Sequence, residues 1–198
     1  MKAYYDQRAT EYDDWYHGTG MHASVERPGW ADEVARLTRL VGELQPARTL
    51  DVACGTGYLT RHLRGEVVGL DQSAAMLEVA AERAPRAKLR QADALSLPFE
   101  DGSFERVFSA HFYGHLEHPE RATFLAEARR VAAELVVVDA ALTDGVAPEQ
   151  WQPRKLLDGS CHTVYKRYFT PEALAGELGG GTTLLRGRWF VAVSARAD

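Results

Sequence analysis

The sequence predicts an α/β fold in which a doubly wound, mostly parallel β-sheet is covered by helices on both faces. Short apolar runs typical of buried strands alternate along the chain with segments of helical periodicity, as in parallel strands joined by right-handed crossovers. The last segment differs, because residues 182–185 and 189–195 flank Gly187 in the pattern of a β-hairpin. We therefore expect an antiparallel pair of strands at the end of an otherwise parallel arrangement.

Composition and charge favour an ordinary globular protein. The chain has 198 residues, 45% of them hydrophobic and 26% charged, and its formal net charge of −5 does not predict the clustered basic surface that nucleic-acid binding requires. No apolar run reaches the roughly 18 residues that span a bilayer, and the acidic, aromatic start is unlike a signal peptide. Two cysteines, Cys54 and Cys161, are too few for a disulfide framework or a cysteine-based zinc site. We expect a cytoplasmic protein that binds neither nucleic acid nor membrane.

The first 29 residues predict a helical flap laid on the rest of the domain. Aromatic residues and Arg8 recur there at helix-like spacings, and the pair Pro28-Gly29 marks a turn. A helix is predicted next, from Trp30 to Leu44, because its apolar residues share one face and a proline follows.

Five strands and their connecting helices are predicted between residues 48 and 139. The strands are expected at 48–53, 66–70, 87–91, 104–110 and 135–139. Helices are expected at 58–63, at 73–84 with Ser73 as N-cap, and at 119–133. Beyond them we predict a loop or insertion over 141–161, a short strand over 164–169, and a helix that begins near Pro171 and ends at the glycines 179–181.

The segment after the first predicted strand has the pattern of a ligand-binding turn. Cys54-Gly55-Thr56-Gly57 lies between a strand and a helix, where glycines let a ligand approach the backbone and the free N–H groups of the helix attract a carboxylate or phosphate. Asp71 ends the second strand, twenty residues after Asp51. A carboxylate at that end of an open parallel sheet can accept both hydroxyls of a ribose. The pattern predicts an adenosine-containing ligand.

Details of the motif distinguish between such ligands. The dinucleotide fingerprint G-x-G-x-x-G is incomplete, because Thr60 occupies the place of the third glycine. The segments DVACGTGY, VVGLDQSAAML and QADALSLPFEDGSFERVFSA, followed by the closing hairpin, instead resemble the class I S-adenosylmethionine (SAM)-dependent methyltransferases. The resemblance covers residues 30–140 closely and the remainder loosely. It implies a Rossmann-like sheet of seven strands, SAM as the cofactor and methyltransferase activity.

The resemblance also implies roles for individual residues. Asp51 would anchor the glycine turn or orient the methionine amino group of SAM, and Asp71 would hold the ribose. The other predicted cofactor-binding residues are Ala53, Gly55, Gly57, Gln72, Met76, Asp93, Ala94, Leu95 and Ala110. Asp93 could equally cap a turn or helix, and Met76 could simply pack within a helix.

The acceptor pocket is expected between the flap, the loop after the fourth strand and an acceptor-side insertion at 141–169. His111 is the candidate catalytic residue, either as a general base or as a hydrogen-bond partner of the substrate. His111 and His115 could bind a metal if they shared a helical face, but no third ligand is placed, and no metal site is predicted. The predicted substrate-binding residues are Tyr5, Tyr16, His115, Arg154 and Lys166.

Basic residues in the last third suggest the class of acceptor. The segment RKLLDGSCHTVYKRYFTPE, together with YYDQRATEYD near the start, is similar to a branch of the family that methylates small acids such as phosphonates. In that branch Arg154 and Lys166 match positions suited to an anion, and Arg167 would point to the opposite face of its strand. We therefore expect O-methylation of a small carboxylate or phosphonate.

Other functions and assemblies stay open on the sequence alone. A phenolic or amine acceptor with His111 as base is one alternative. A non-catalytic SAM-binding module and a nicotinamide-dependent oxidoreductase are others, although Thr60 disfavours the latter. The chain could be a monomer or a homodimer.

Overall fold

The computed structural model describes residues 2–196, which form a seven-stranded sheet and a separate two-stranded ribbon. The helices are α1 (Lys2–Arg8), α2 (Asp14–His17), α3 (Trp30–Glu43), α4 (Ala74–Arg83), α5 (His118–Val131) and α6 (Pro171–Glu177). The strands are β1 (Thr49–Val52), β2 (Val67–Asp71), β3 (Lys88–Gln91), β4 (Phe104–Ala110), β5 (Ala132–Ala140), β6 (Glu149–Lys155), β7 (Cys161–Arg167), β8 (Thr182–Arg186) and β9 (Phe190–Arg196). Within this described part, every helix is too short or too polar to cross a bilayer.

The large sheet has the strand order β3-β2-β1-β4-β5-β9-β8. Strands β1 to β5 are parallel, and β9 runs antiparallel to both of its neighbours. The chain builds outward from β1 to β3 and then returns to the other side of β1 with β4. This arrangement confirms the predicted doubly wound, mostly parallel sheet with an antiparallel pair of strands at its end.

The sheet is buried on both faces by two apolar clusters. One packs α5 and α6 against the sheet, and the other packs α3 and Tyr58 against the opposite face. The neighbours Val107 and Phe108 on β4 belong to different clusters, because successive side chains of a strand point to opposite faces. This two-sided burial explains why the central strands are rich in apolar residues, and buried charged residues among them, such as Arg106 and Asp139, have ion-pair partners.

Two predicted elements differ from the structure. The predicted helix at 58–63 is reduced to a single 3₁₀ turn, Thr60–His62, because Leu63 is already extended as the chain turns towards Gly65 and β2. The predicted loop at 141–161 contains β6, which pairs with β7 over seven residues. The sequence of β6, EQWQPRK, has no apolar periodicity, so only its pairing with β7 makes it a strand.

The carboxylate of Glu33 on α3 holds the turn between β8 and β9. It accepts hydrogen bonds from the backbone N–H groups of Arg188 (2.9 Å), Trp189 (2.7 Å) and Phe190 (2.8 Å). We expect Glu33→Ala to lower the free energy of unfolding in urea by about 2 kcal/mol, since three donors lose a charged acceptor. Glu43→Ala, at the exposed end of the same helix, should change it by less than about 0.5 kcal/mol. Equal losses in the two variants would contradict this role.

Candidate functional site

A cavity of about 250 Å³, termed here the strand-end cavity, opens where β1, β2 and β4 end. Tyr5 and Tyr12 of the N-terminal segment form one of its walls. Nine of the eleven predicted cofactor-binding residues line it: Ala53, Gly55, Asp71, Gln72, Met76, Asp93, Ala94, Leu95 and Ala110. These residues come from four segments of the chain and meet because parallel strands end at the same edge of the sheet.

The carboxylate of Asp71 ties the glycine turn to the start of α4. Its Oδ2 accepts a hydrogen bond from the Gly55 N–H (2.9 Å), and its Oδ1 accepts one from the Ser73 N–H (2.9 Å). Burial raises the pKa of Asp71, although these backbone hydrogen bonds oppose the effect. Each oxygen keeps a further acceptor position. The same carboxylate can therefore hold the turn and accept from hydroxyl groups of a ligand.

Asp51 and Gly57 lie outside this lining. Asp51 is buried beneath the turn, where it accepts a hydrogen bond from the Thr60 hydroxyl (2.7 Å), and burial raises the pKa of Asp51 to about 7. Gly57 has φ of +74°, and a Cβ there would lie 3.3 Å from Ala80 and Ala84 of α4. The structure thus gives Gly57 a packing role against the helix, and its contact with the cofactor stays a prediction.

Two non-glycine residues of the described chain have left-handed backbone, and both line the strand-end cavity. Ala53 follows β1 with φ of 59°, and His111 follows β4 with φ of 56°. Such backbone costs roughly 1–3 kcal/mol in L-residues and concentrates at functional sites. Both residues thus lie where β1 and β4 end, beside the strand-end cavity.

A second cavity, of about 550 Å³, lies between the N-terminal segment and the β6–β7 ribbon. We call it the cationic cavity. It shares Tyr5, Tyr12 and His111 with the strand-end cavity, so the two spaces adjoin. None of its described lining residues is a carboxylate, whereas four are cationic: Arg8, Arg27, Arg154 and Lys166. This positive lining contrasts with the net charge of −5 of the whole chain, and its position beside the strand-end cavity separates it from the arginine-lined surface around Arg61 and Arg86.

The imidazole of His111 lies at the junction of the two cavities. It is 7% exposed, and neither ring nitrogen has a hydrogen-bond partner among the described residues. The rings of Trp15 and Phe190 contact it, with centroid distances of 4.8 and 5.3 Å. Burial lowers the pKa of His111 to about 4, although the nearby Asp139 carboxylate opposes the effect. The neutral ring has two free nitrogens that a ligand could satisfy.

Lys166 lies at the inner end of the cationic cavity with its charge already paired. Its Nζ donates to Oδ1 of the fully buried Asp139 (2.6 Å), whose Oδ2 accepts from the Gly114 N–H (2.7 Å). Burial alone would raise the pKa of Asp139, but the Lys166 ammonium and the adjacent histidines hold it below its usual value. The ammonium is thereby fixed in place and keeps donors for a ligand.

The structure brings together four of the five predicted substrate-binding residues. The cationic cavity is lined by Tyr5, His115, Arg154 and Lys166. Tyr16 is not part of this lining, because its ring stacks on Tyr58 within the apolar core, at a centroid distance of 3.8 Å. The predicted opposite orientation of Lys166 and Arg167 is confirmed, since Arg167 turns away from the cavity and pairs with Glu149 and Glu177.

Two cationic lining residues, Arg8 and Arg27, were not predicted as site residues. Arg8 donates to the Tyr4 hydroxyl (2.8 Å) and lies over the Tyr12 ring, and Arg27 lies 3.8 Å from the centroid of the Trp30 ring. Both come from the N-terminal segment. The only signal in the sequence is that they are basic residues among aromatic ones, which does not show what they face. No group of three His, Cys, Asp or Glu residues between 2 and 196 is arranged to hold a metal ion.

Comparison with known proteins gives relatives for the central part of the chain. Residues 50–135 match a family model described as a methyltransferase domain. The demethylmenaquinone methyltransferase of Thermotoga maritima is 38% identical over 101 residues, covering 48% of this chain and 43% of that protein. The malonyl-[acyl-carrier protein] O-methyltransferase of Halorhodospira halophila is 39% identical over 129 residues, covering 56% and 42%. The chain thus spans less than half the length of these curated relatives.

Solved structures extend the likeness to nearly the whole chain. The structure described as the DhpI-SAM-HEP complex is 27% identical, with a TM-score of 0.77 over 98% of this chain and 95% of that one. The DhpI-SAH complex is 26% identical, with a TM-score of 0.75 over 98% and 93%. The chain therefore resembles class I SAM-dependent methyltransferases, DhpI among them, in both sequence and fold.

The buried His111 predicts a pH dependence of stability. An unfolded histidine takes up its proton near pH 6.5, whereas His111 in the folded state does so only near pH 4. The unfolded state binds more protons than the folded state between these two values. The contribution of His111 to the free energy of unfolding is therefore fully present above pH 6.5 and is lost as the pH decreases towards 4. From pH 7 to pH 5 this single group should cost about 2 kcal/mol.

Urea unfolding of His111→Asn at both pH values measures this contribution, since asparagine tolerates left-handed backbone. The variant should lose about 2 kcal/mol less than the wild-type protein between pH 7 and pH 5. His118→Asn, at an exposed position, should behave like the wild type. If His111→Asn and the wild type lost stability equally, His111 would not be the buried neutral group described here.

Proposed function

We propose that this chain is a SAM-dependent methyltransferase that methylates an oxygen atom of a small anionic acceptor, a carboxylate or a phosphonate. The observation that carries the proposal is the cationic cavity, with four cationic lining residues and no described carboxylate, directly beside the strand-end cavity. The methyltransferase-domain match of residues 50–135 and the likeness to DhpI, described in complexes with SAM and SAH, support SAM as the ligand of the strand-end cavity.

The residues of the strand-end cavity suit the parts of SAM. Asp71 has acceptor positions free for the ribose hydroxyls, and Gly55 leaves its backbone open, since a Cβ there would meet only Tyr12 at 4.0 Å. Met76 and Leu95 supply apolar surface for the adenine. Ala110 and His111 would then border the sulfonium and its methyl group, and His111 also lines the cationic cavity.

The reaction needs little acid–base chemistry if the acceptor is an anion. An acceptor oxygen attacks the methyl carbon of SAM, the carbon–sulfur bond breaks with its electron pair going to sulfur, and a methyl ester and S-adenosylhomocysteine (SAH) result. No proton is transferred. The chain contributes position, because holding the acceptor oxygen in line with the methyl group can supply on the order of 7–11 kcal/mol.

The properties of His111 favour an anionic acceptor over a phenol or amine. A base that removes a proton near pH 7 works best with a pKa near that pH, whereas burial lowers the pKa of His111 to about 4. The neutral imidazole is therefore better suited to a hydrogen bond with the acceptor than to proton removal.

Titration with SAM, SAH and NADH tests the identity of the cofactor. We expect micromolar binding of SAM and SAH by calorimetry and no binding of NADH, because the motif lacks the third glycine of a dinucleotide site. Gly55→Val should weaken SAH binding at least about tenfold by filling the space where the ligand meets the backbone. Binding of NADH in place of SAM would overturn the cofactor assignment.

Acceptor chemistry is tested by comparing acids with neutral hydroxyl compounds over a range of pH. With a carboxylate acceptor, neither the acceptor nor His111 titrates between pH 6 and pH 8, so neither should change kcat/KM there; a change near pH 7 would come from the buried Asp51 and should appear in SAH binding as well. Arg154→Ala should raise the KM of the acid about tenfold or more, whereas Arg36→Ala, on the exposed face of α3, should leave it unchanged. A preference for phenols, with a rate that rises with pH and is lost in His111→Asn, would contradict an anionic acceptor.

A further inference from the structure

The cationic cavity holds its positive charge in two separate places. Lys166 lies at the inner end, beside His111 and His115. Arg8 and Arg154 stand at the mouth, because they also line a smaller outer cavity of about 230 Å³ that Lys166 does not reach. The positive charges of the cationic cavity are thus the Lys166 ammonium at the inner end and the arginines at the mouth.

The three arginines of the cavity have no carboxylate partner, in contrast to Lys166. Arg8 donates to the Tyr4 hydroxyl, Arg154 to the side chain of Gln152, and Arg27 to the Trp15 carbonyl. None of these arginines has a described carboxylate oxygen within 4.0 Å, and Nη2 of Arg27 is buried without any acceptor. Neutral partners therefore hold the guanidinium groups in place and leave their charge unneutralised.

The register of the ribbon sets the spacing between the two places. Lys166 pairs with Gln150, and Arg154 lies four residues further along β6 on the same face, roughly 13 Å away along the strand. The Arg154 side chain bends back towards Gln152, which is still two residues, or roughly 7 Å, from the level of Lys166. Lys166 and Arg154 thus present their charges at different levels of the ribbon, so that an acceptor with two anionic groups can contact both at once.

The electrostatics at the mouth agree with this geometry. Burial, followed by the charges of Arg8, Arg27 and Arg154, lowers the pKa of His22 to about 4, and the opposing effect of Asp14 is smaller. Glu11 and Asp14 also line the outer cavity and oppose this charge, but the three cations Arg8, Arg154 and Lys155 outnumber them there. The net field at the mouth is positive, which attracts a negative group.

We propose that the acceptor carries two separate anionic groups, as a dicarboxylic acid or a carboxylated phosphonate does. One group lies at the inner end, beside Lys166, and is methylated. The other stays at the mouth and pairs with Arg8 and Arg154, which fixes the orientation of the molecule. The volume of about 550 Å³ is in the range that encloses molecules larger than a two- or three-carbon acid. This inference rests on the proposed function and specifies its substrate class.

Binding of matched acids tests the inference without requiring turnover. The probes are dicarboxylates of four to eight carbons and monocarboxylates of the same length, titrated in the presence of SAH and followed by the fluorescence of the cavity residues Trp15, Trp30 and Trp189. In the wild-type protein the best dicarboxylate should bind at least about tenfold more tightly than its monocarboxylate, well beyond the factor of two that a second equivalent carboxylate gives by statistics.

The same ratio in variants shows where the second group binds. Arg154→Gln and Arg8→Gln, on different segments of the chain, should each reduce the ratio to about two to three, whereas Arg36→Ala should preserve it. A ratio near two in the wild type at every length, or a ratio that neither arginine variant changes, would overturn the inference. Failure of the proposed function would be seen separately, because SAH would not bind or no acid would be methylated. The ratio of dicarboxylate to monocarboxylate affinity would still show whether a second anionic group binds at the mouth.

Discussion

The site depends on the way β1 and β4 lie side by side while the segments that follow them leave the sheet in different directions. Their ends meet at the same edge, and the space that opens between the departing segments is the strand-end cavity. Ala53 and His111 make the two turns in left-handed backbone. A hydrogen bond from the His111 N–H to the Val138 carbonyl, 2.8 Å long, ties the second turn to β5. The buried strands on either side sustain this local strain.

The N-terminal segment is attached to the same edge, and this attachment is what joins the two cavities. The Thr56 hydroxyl of the glycine turn donates to Asp13 (2.6 Å), and Asp13 also pairs with Arg83 of α4. Tyr5 and Arg8 are carried on the segment held in this way, so Tyr5 can face both cavities. A cluster of cations stabilises no fold by itself, which is why its place beside the strand-end cavity indicates a function.

The elements with local signals were predicted from the sequence. The strands β1, β2, β4 and β5 are buried on both faces, and they could be recognised because two-sided burial favours apolar residues over most of each strand. The start of α4 was predicted at Ser73, whose hydroxyl accepts from the Met76 N–H (3.2 Å). The strand-end residues Gly55 and Asp71 were found in the same way, because parallel strands bring their carboxyl ends to one edge whatever the rest of the chain does.

The sequence by itself thus determined the mostly parallel sheet and the edge at which the strand-end cavity opens, whereas the tertiary structure alone decided which polar side chains meet across the cavity. The strand β6 is polar throughout, and its conformation comes from pairing with β7. Arg8 and Arg27 join Arg154 and Lys166 only because the N-terminal segment packs on that ribbon, more than a hundred residues away in the chain. Tyr16 turns to the core because Tyr58 lies beneath it. The physical reason is that burial and turns require particular residue types at regular or neighbouring positions, which can be recognised in the sequence. Contacts between charged groups far apart in the chain produce no such pattern.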